Sequence, residues 1–202
     1  AGEYIIENLA IPKKDIFSFL SPPLPWTAHE WLSEVIMAVI HNMAGLTGVV
    51  IFFSFLIAIT YSIFFKMLKS YGSNILISVI MIILVLSSSQ IHWLARPHIF
   101  SLLIMVFWYY ILEQYQYRDR NYLYLLPLIM LLWANLHGGF MGGFIVMGIY
   151  LFGNVLKVIF TQKTERPLWL RKVKALALVT MVCVIVSMIN PYGYHILVFP
   201  FK

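Results

Sequence analysis

Residues 46–65 read LTGVVIFFSFLIAITYSIFF, with no charged side chain among them. At about 1.5 Å of rise per residue, a helix of this length matches the roughly 30 Å hydrocarbon core of a bilayer. A soluble amphipathic helix would carry a polar face, and this run has none. Gly45 precedes it, and Lys66 and Lys69 close it. Working outward, comparable blocks recur, and the sequence predicts six spans at about 46–67, 73–93, 97–115, 122–136, 140–159 and 172–190. The fourth is short and runs straight into Gly138-Gly139, so a re-entrant hairpin is the alternative there.

Composition agrees. Of 202 residues, 61% are apolar and only 11% charged, whereas soluble domains carry about 25% charged residues to meet water. The net charge is +6. Lys66, Lys69, Arg118, Arg120, Lys157, Lys163, Arg166, Arg171, Lys172 and Lys174 fall in short gaps between the apolar blocks. That is the positive-inside pattern, and it gives no support to nucleic-acid binding. Cys183 is the only cysteine, so an internal disulfide and a cysteine metal site are excluded. Its place inside an apolar block reads as a buried, inert thiol.

The basic gaps at 66–72, 116–121 and 160–174 are expected to face the cytoplasm. The turns at 45, 94–96 and 137–139, and the region after 190, then face outside. Residues 1–28 form a non-spanning head in which Pro22, Pro23 and Pro25 forbid a regular helix, and Trp26 suits an interfacial anchor. Residues 29–44 read as a helix about 24 Å long in or near the interface, with Thr27 as N-cap and Glu30 three residues on. The sequence thus predicts an all-α integral membrane protein. Its parts are an extracytoplasmic loop with an interfacial helix, 1–45, and a transmembrane domain, 46–202. An outer head requires a span before Ala1 if the amino terminus is cytoplasmic, so a fragment lacking its first transmembrane helix is expected.

With this topology the chemistry collects on one face. His29, His92, His98, His137 and His195 fall at outer helix ends, together with Glu30, Glu34, Arg96, Asn135 and Asn190; His41 joins them if 29–44 is interfacial. Ionisable groups near membrane depth are costly and point to function. Glu30 and Glu34 stand four apart on one helical face, which suits a general base or metal role, or else a solvated helix start. Arg96 is the one arginine or lysine between the head and Lys202 assigned to the outer side. It is either a bidentate phosphate clamp or a snorkelling headgroup contact. Residues 133–139, WANLHGG, run a helix into Asn135 and His137 before two glycines that allow a sharp turn or a ligand's close approach. Gly139 and Gly143 make a small-xxx-small face suited to close helix packing. Asn190-Pro191-Tyr192-Gly193 is a turn by composition. Phosphate loops, nucleophile elbows and zinc-protease motifs are absent. A divalent metal is compatible with the histidine-bearing helix ends, but no ligand spacing requires one.

The order Gly2-Glu3-Tyr4-Ile5, Pro12 to Ser18, Trp26 with His29-Glu30-Trp31-Leu32, Arg96-Pro97-His98, Trp133 to Gly139 and Asn190-Pro191-Tyr192-Gly193 resembles a group of bacterial polytopic membrane proteins related to the GT-C glycosyltransferases. The resemblance covers nearly the whole chain. It implies that 1–45 is the first outer loop of a GT-C-like fold in the bacterial cytoplasmic (inner) membrane, and that the donor is a polyprenyl-phosphate sugar. It also implies that the family's catalytic aspartate lies upstream of Ala1; Asp15, Glu30 and Glu34 are the loop's remaining acids, and none can be equated with it. On this reading Glu30 or Glu34 supports the acid–base site, Arg96 with His29 and His98 holds the phosphate, and Asn135 and His137 orient donor or acceptor. The expected partners are membrane lipids, the polyprenyl-phosphate sugar and other membrane subunits. The competing reading is a non-enzymatic polytopic subunit that packs against or anchors a larger complex through its glycines and aromatics. A transporter would place polar groups at broken helices near mid-bilayer, and here they sit at helix ends.

Overall fold

Apolar blocks that cannot shed backbone polarity into lipid must bond internally, and this chain does so through helices. The computed structural model describes residues 1–19 and 21–198, and no strand occurs among them. The helices are α1 (Gly2–Asn8), α2 (Trp31–Ser70), α3 (Ile75–Ser89), α4 (His98–Tyr117), α5 (Leu126–Leu136), α6 (Phe140–Phe160), α7 (Arg166–Ser187) and α8 (His195–Val198). Short 3-10 turns at Gln90–His92 and Leu123–Leu125 extend α3 and precede α5.

Among the described residues, three helical segments are long and apolar enough to cross a membrane: Trp31–Ser70, Ile75–His92 and Phe140–Phe160. The other expected spans coincide with α4, α5 and α7. Of these, α4 carries Glu113, Gln114 and Gln116, α5 has only 11 residues, and α7 begins six residues before the expected span, among Arg166, Arg171, Lys172 and Lys174. The surface of α3 is inverted relative to a soluble helix. Its one buried residue is Ser78, while Ile75, Leu76, Ile77, Ile80, Ile83 and Leu84 are exposed. Such a surface is stable only against an apolar solvent.

The expected break at Gly45 is present. The segment expected to be interfacial and the first expected span form one α2 helix interrupted at Gly45, with φ 64° and ψ −166°, a conformation essentially restricted to glycine. Thr27 does not cap the helix. Glu30 occupies the N-cap without a side-chain cap, and the chain enters through a turn in which the Trp31 amide donates to the Ala28 carbonyl at 3.2 Å. The head is not wholly irregular either, since α1 packs on α2. A methyl at Gly2 would stand 2.0 Å from the Glu34 carbonyl oxygen, so only glycine admits this approach.

The chain divides into two compact units, Ala1–Val106 with Asn135–His137, and Phe107–Ala134 with Gly138–Lys202. In the first, Val49, Phe53, Leu56, Ile99, Phe100 and Leu136 form the buried core, with Leu32, Ile36 and Leu103 packed against it. In the second, Trp108 and Trp133 meet edge to face at 5.6 Å. The Trp108 indole donates to the Gly143 carbonyl at 3.0 Å, and a Cβ on Gly143 would lie 2.8 Å from the Trp133 ring. The glycine expected to bring helices together therefore receives tryptophan rings instead. This unit also buries polarity. Tyr150 donates to Glu113, and Gln116 and Asn154 exchange amide hydrogen bonds at 2.9 and 3.1 Å. Cys183 is fully buried there.

Candidate functional site

The central polar residues of the first unit's site, Glu30, His98, Asn135 and His137, are each one or two steps along the chain from a residue of the apolar cluster. Glu30 precedes Leu32, His98 precedes Ile99 and Phe100, and Leu136 separates Asn135 from His137. Burying those apolar side chains in one cluster brings three distant chain segments together. Two hydrogen bonds fix the register. The Trp31 indole donates to Asn135 Oδ1 at 2.8 Å, and the Ser33 hydroxyl donates to the Leu136 carbonyl at 2.5 Å.

Glu30 stands at the centre. Its Oε1 lies 3.3 Å from His137 Nε2 and 3.6 Å from His29 Nε2, with both histidines and the carboxylate partly buried. On the far side of the His137 ring, Nδ1 meets the Ser101 hydroxyl at 2.8 Å. A carboxylate beside Nε2 favours the tautomer with its proton there. Nδ1 then accepts from Ser101. His98 completes the group: its ring lies 6.4 Å from that of His137 and 6.2 Å from that of His92, and its Nε2 is 2.5 Å from the His92 carbonyl.

The electrostatics pull the two central groups toward neutrality. Burial raises the Glu30 pKa above the ordinary carboxylate value, Glu34 raises it further, and His29 and His98 oppose. Burial, reinforced by His98 and His29, lowers His137 to about 4. At neutral pH His137 is therefore an uncharged imidazole, able to pass a proton between Ser101 and Glu30.

The sequence candidates occupy different positions. His29, Glu30, His98 and His137 are in the cluster. Asn135 is buried and its carbonyl oxygen is taken by Trp31, so it positions rather than reaches outward. Glu34 lies one turn beyond Glu30, with Oε2 buried and without a hydrogen-bond partner among the described residues. Arg96 is exposed, and among the described residues no ion pair joins its guanidinium to the cluster. His41 is off the cluster, 3.8 Å from Glu3, and His195 stacks on Tyr194 in the second unit. Asp15 accepts from Ser18 and the Phe17 amide in its own loop; the Ser18 hydroxyl, first among these, holds it below the usual range. The Gly138-Gly139 turn needs no left-handed backbone, Gly139 having φ −61° and ψ −9°. Asn190 makes the expected turn: its Oδ1 accepts from the Tyr192 amide, and Gly193 takes φ 55°.

Among the described residues no three histidine, cysteine, aspartate or glutamate side chains converge closely enough to hold a metal ion. The chain matches no family model, no curated protein and no solved structure. The cluster's own chemistry is that of a proton relay: one carboxyl of raised pKa, one neutral imidazole, one hydroxyl and two flanking histidines. Sequence reading missed Ser101 and Trp31. Ser101 follows His98 by three residues, one turn along the same helix face, and that spacing is the signal that would have found it.

Proposed function

We propose that the chain carries an outward-facing acid–base site of a GT-C-like glycosyltransferase with six spans in a bacterial inner membrane, using a polyprenyl-phosphate sugar. The observation behind this reading is the convergence of Glu30 with His137 and His29, with His98 beside them. In the transfer, an acceptor hydroxyl attacks the anomeric carbon and forms the new C–O bond. The bond from that carbon to the phosphate oxygen breaks, and the electron pair leaves with polyprenyl phosphate. Glu30, whose raised pKa makes it a better proton acceptor than an ordinary carboxylate, takes the hydroxyl proton. His29 and His98, each held by one ring N–H on a backbone carbonyl (Thr27 and His92), flank the phosphate, and Arg96 is its cationic donor. Asn135 holds Trp31, and through it the start of α2, in place. Glu34 supports Glu30 by raising its pKa.

The competing reading, a packing subunit, loses part of its basis because Gly143 is filled by the chain's own Trp108 and Trp133. The test is turnover of a labelled polyprenyl-phosphate sugar by the purified chain in nanodiscs, compared with Glu30→Gln. Release of polyprenyl phosphate that disappears in the variant supports the enzyme. If the lipid neither turns over nor photo-crosslinks near residues 29–30 and 98–101, the proposal fails.

A further inference from the structure

In the second unit a cavity of about 630 Å³ is lined by Tyr115, Asp119, Asn121, Arg171 and Lys172, with Leu168 and Ala175 as apolar wall. Its construction follows from spacing. Leu168, Arg171, Lys172 and Ala175 fall at i, i+3, i+4 and i+7 on α7 and share one face. The carboxyl end of α4 supplies Tyr115, and the loop after it supplies Asp119 and Asn121. Asp119 holds a left-handed φ of 50°, which turns the chain sharply here.

Lys172 is the unusual member. It is only 6% exposed, and lysine is rarely so buried without an anionic partner. Its ammonium donates to the Gln116 carbonyl at 2.6 Å and lies 5.2 and 5.9 Å from the centres of the Trp169 and Tyr115 rings. These partners are uncharged. Among the described residues no carboxylate lies within ion-pair distance of this ammonium; Asp119 acts on it only from farther off, across the cavity lining. An ammonium has three donors and here spends one on the carbonyl. Arg171 beside it is exposed and adds a planar donor fork suited to phosphate. With Asp119 included, the lining still holds two cations to one anion.

We propose that this cavity binds a phosphate group, with Arg171 and Lys172 as its cationic ligands and Asn121 and Tyr115 as neutral donors. Leu168 and Ala175 suit the start of an acyl chain, so an anionic phospholipid headgroup is one source of that phosphate and a free phosphate is the other. The site uses none of the residues assigned to glycosyl transfer and stands or falls independently of that reading.

The experiment is native mass spectrometry with a parallel thermal-shift titration of the full chain in neutral detergent. The probes are phosphatidylglycerol, phosphatidylcholine and inorganic phosphate, applied to the wild type, Arg171→Ala and Asn121→Ala. Saturable binding of phosphatidylglycerol over phosphatidylcholine identifies a lipid source, and equal or stronger binding of inorganic phosphate identifies the free ion. Either result, weakened about tenfold or more in Arg171→Ala, supports the site. No saturable binding of any phosphate probe, or binding unchanged in Arg171→Ala, overturns it. Arg171 is exposed, so its removal leaves the fold intact.

Discussion

His137 holds two partners at once, Glu30 at 3.3 Å on Nε2 and Ser101 at 2.8 Å on Nδ1. The ring thereby joins the N-cap of α2 to the first turn of α4, and its uncharged state is built into the fold.

That state has a pH signature. The folded pKa of His137, about 4, lies below the ordinary 6.5, so between these values the unfolded chain binds a proton that the folded chain does not. Stability contributed by the neutral ring is present above pH 6.5 and is lost as pH falls toward 4. Glu30 acts in the opposite sense: its raised pKa costs stability as pH rises above the ordinary carboxylate value. Melting midpoints in detergent should therefore show an acid-side loss that shrinks in His137→Gln. An unchanged acid limb would refute the assignment.

Ser101→Ala leaves the partly buried Nδ1 without its hydroxyl. Loss of such a bond costs about 1 kcal/mol, a shift of a few degrees in the melting midpoint. If the relay is used in transfer, turnover falls more than donor binding, and the separate measurement of kcat and KM distinguishes the two.

Gly2→Ala places a methyl 2.0 Å from the Glu34 carbonyl oxygen and 2.5 Å from its carbon. Neither is the end of a flexible side chain. The expected outcome is release of α1 from α2, read as faster amide exchange over 2–8 while the spanning segments stay protected. Protection equal to wild type would show that α1 docks differently.

Gly45→Ala forces a side chain into φ 64°, ψ −166°, at a cost of about 1–3 kcal/mol. The melting midpoint should drop, although open space surrounds the position. A neutral substitution would mean that the corner in α2 straightens readily.

Gly143→Ala is limited by packing instead. The new methyl meets Trp133 at 2.8 Å and Trp108 at 3.2 Å, and overpacking of this kind costs about 1–3 kcal/mol. Trp133→Phe should relieve part of that penalty in the double variant. Additive losses would indicate that the contact with Trp133 is not the cause.

Helices were legible in this sequence because lipid-compatible runs need no tertiary context to be recognised. The blocks around 46–67, 97–115 and 140–159 lie within a few residues of helix boundaries, and Gly45 marked the break. Thr27 misled because local capping chemistry competes with the geometry of the incoming loop, which delivers the chain at Glu30. The start of α7 was hidden by its basic residues, which read equally as a loop. For the site, helix-end histidines and Glu30 were visible as costly groups in an apolar chain. Ser101 was not, since a serine inside an apolar block is unremarkable until the fold brings His137 to it. Lys172 looked like one more cytoplasmic charge, and only packing made it buried.

Because Leu32, Ile99, Phe100 and Leu136 belong to one apolar cluster, the groups that flank them share a single foundation. A cavity opened at Leu136 would loosen Asn135 and His137 directly, and Glu30 and His98 through the common packing. Damage to this site is therefore collective: the alignment survives whole or slips together, and a conservative change in a greasy residue can silence groups that it never touches.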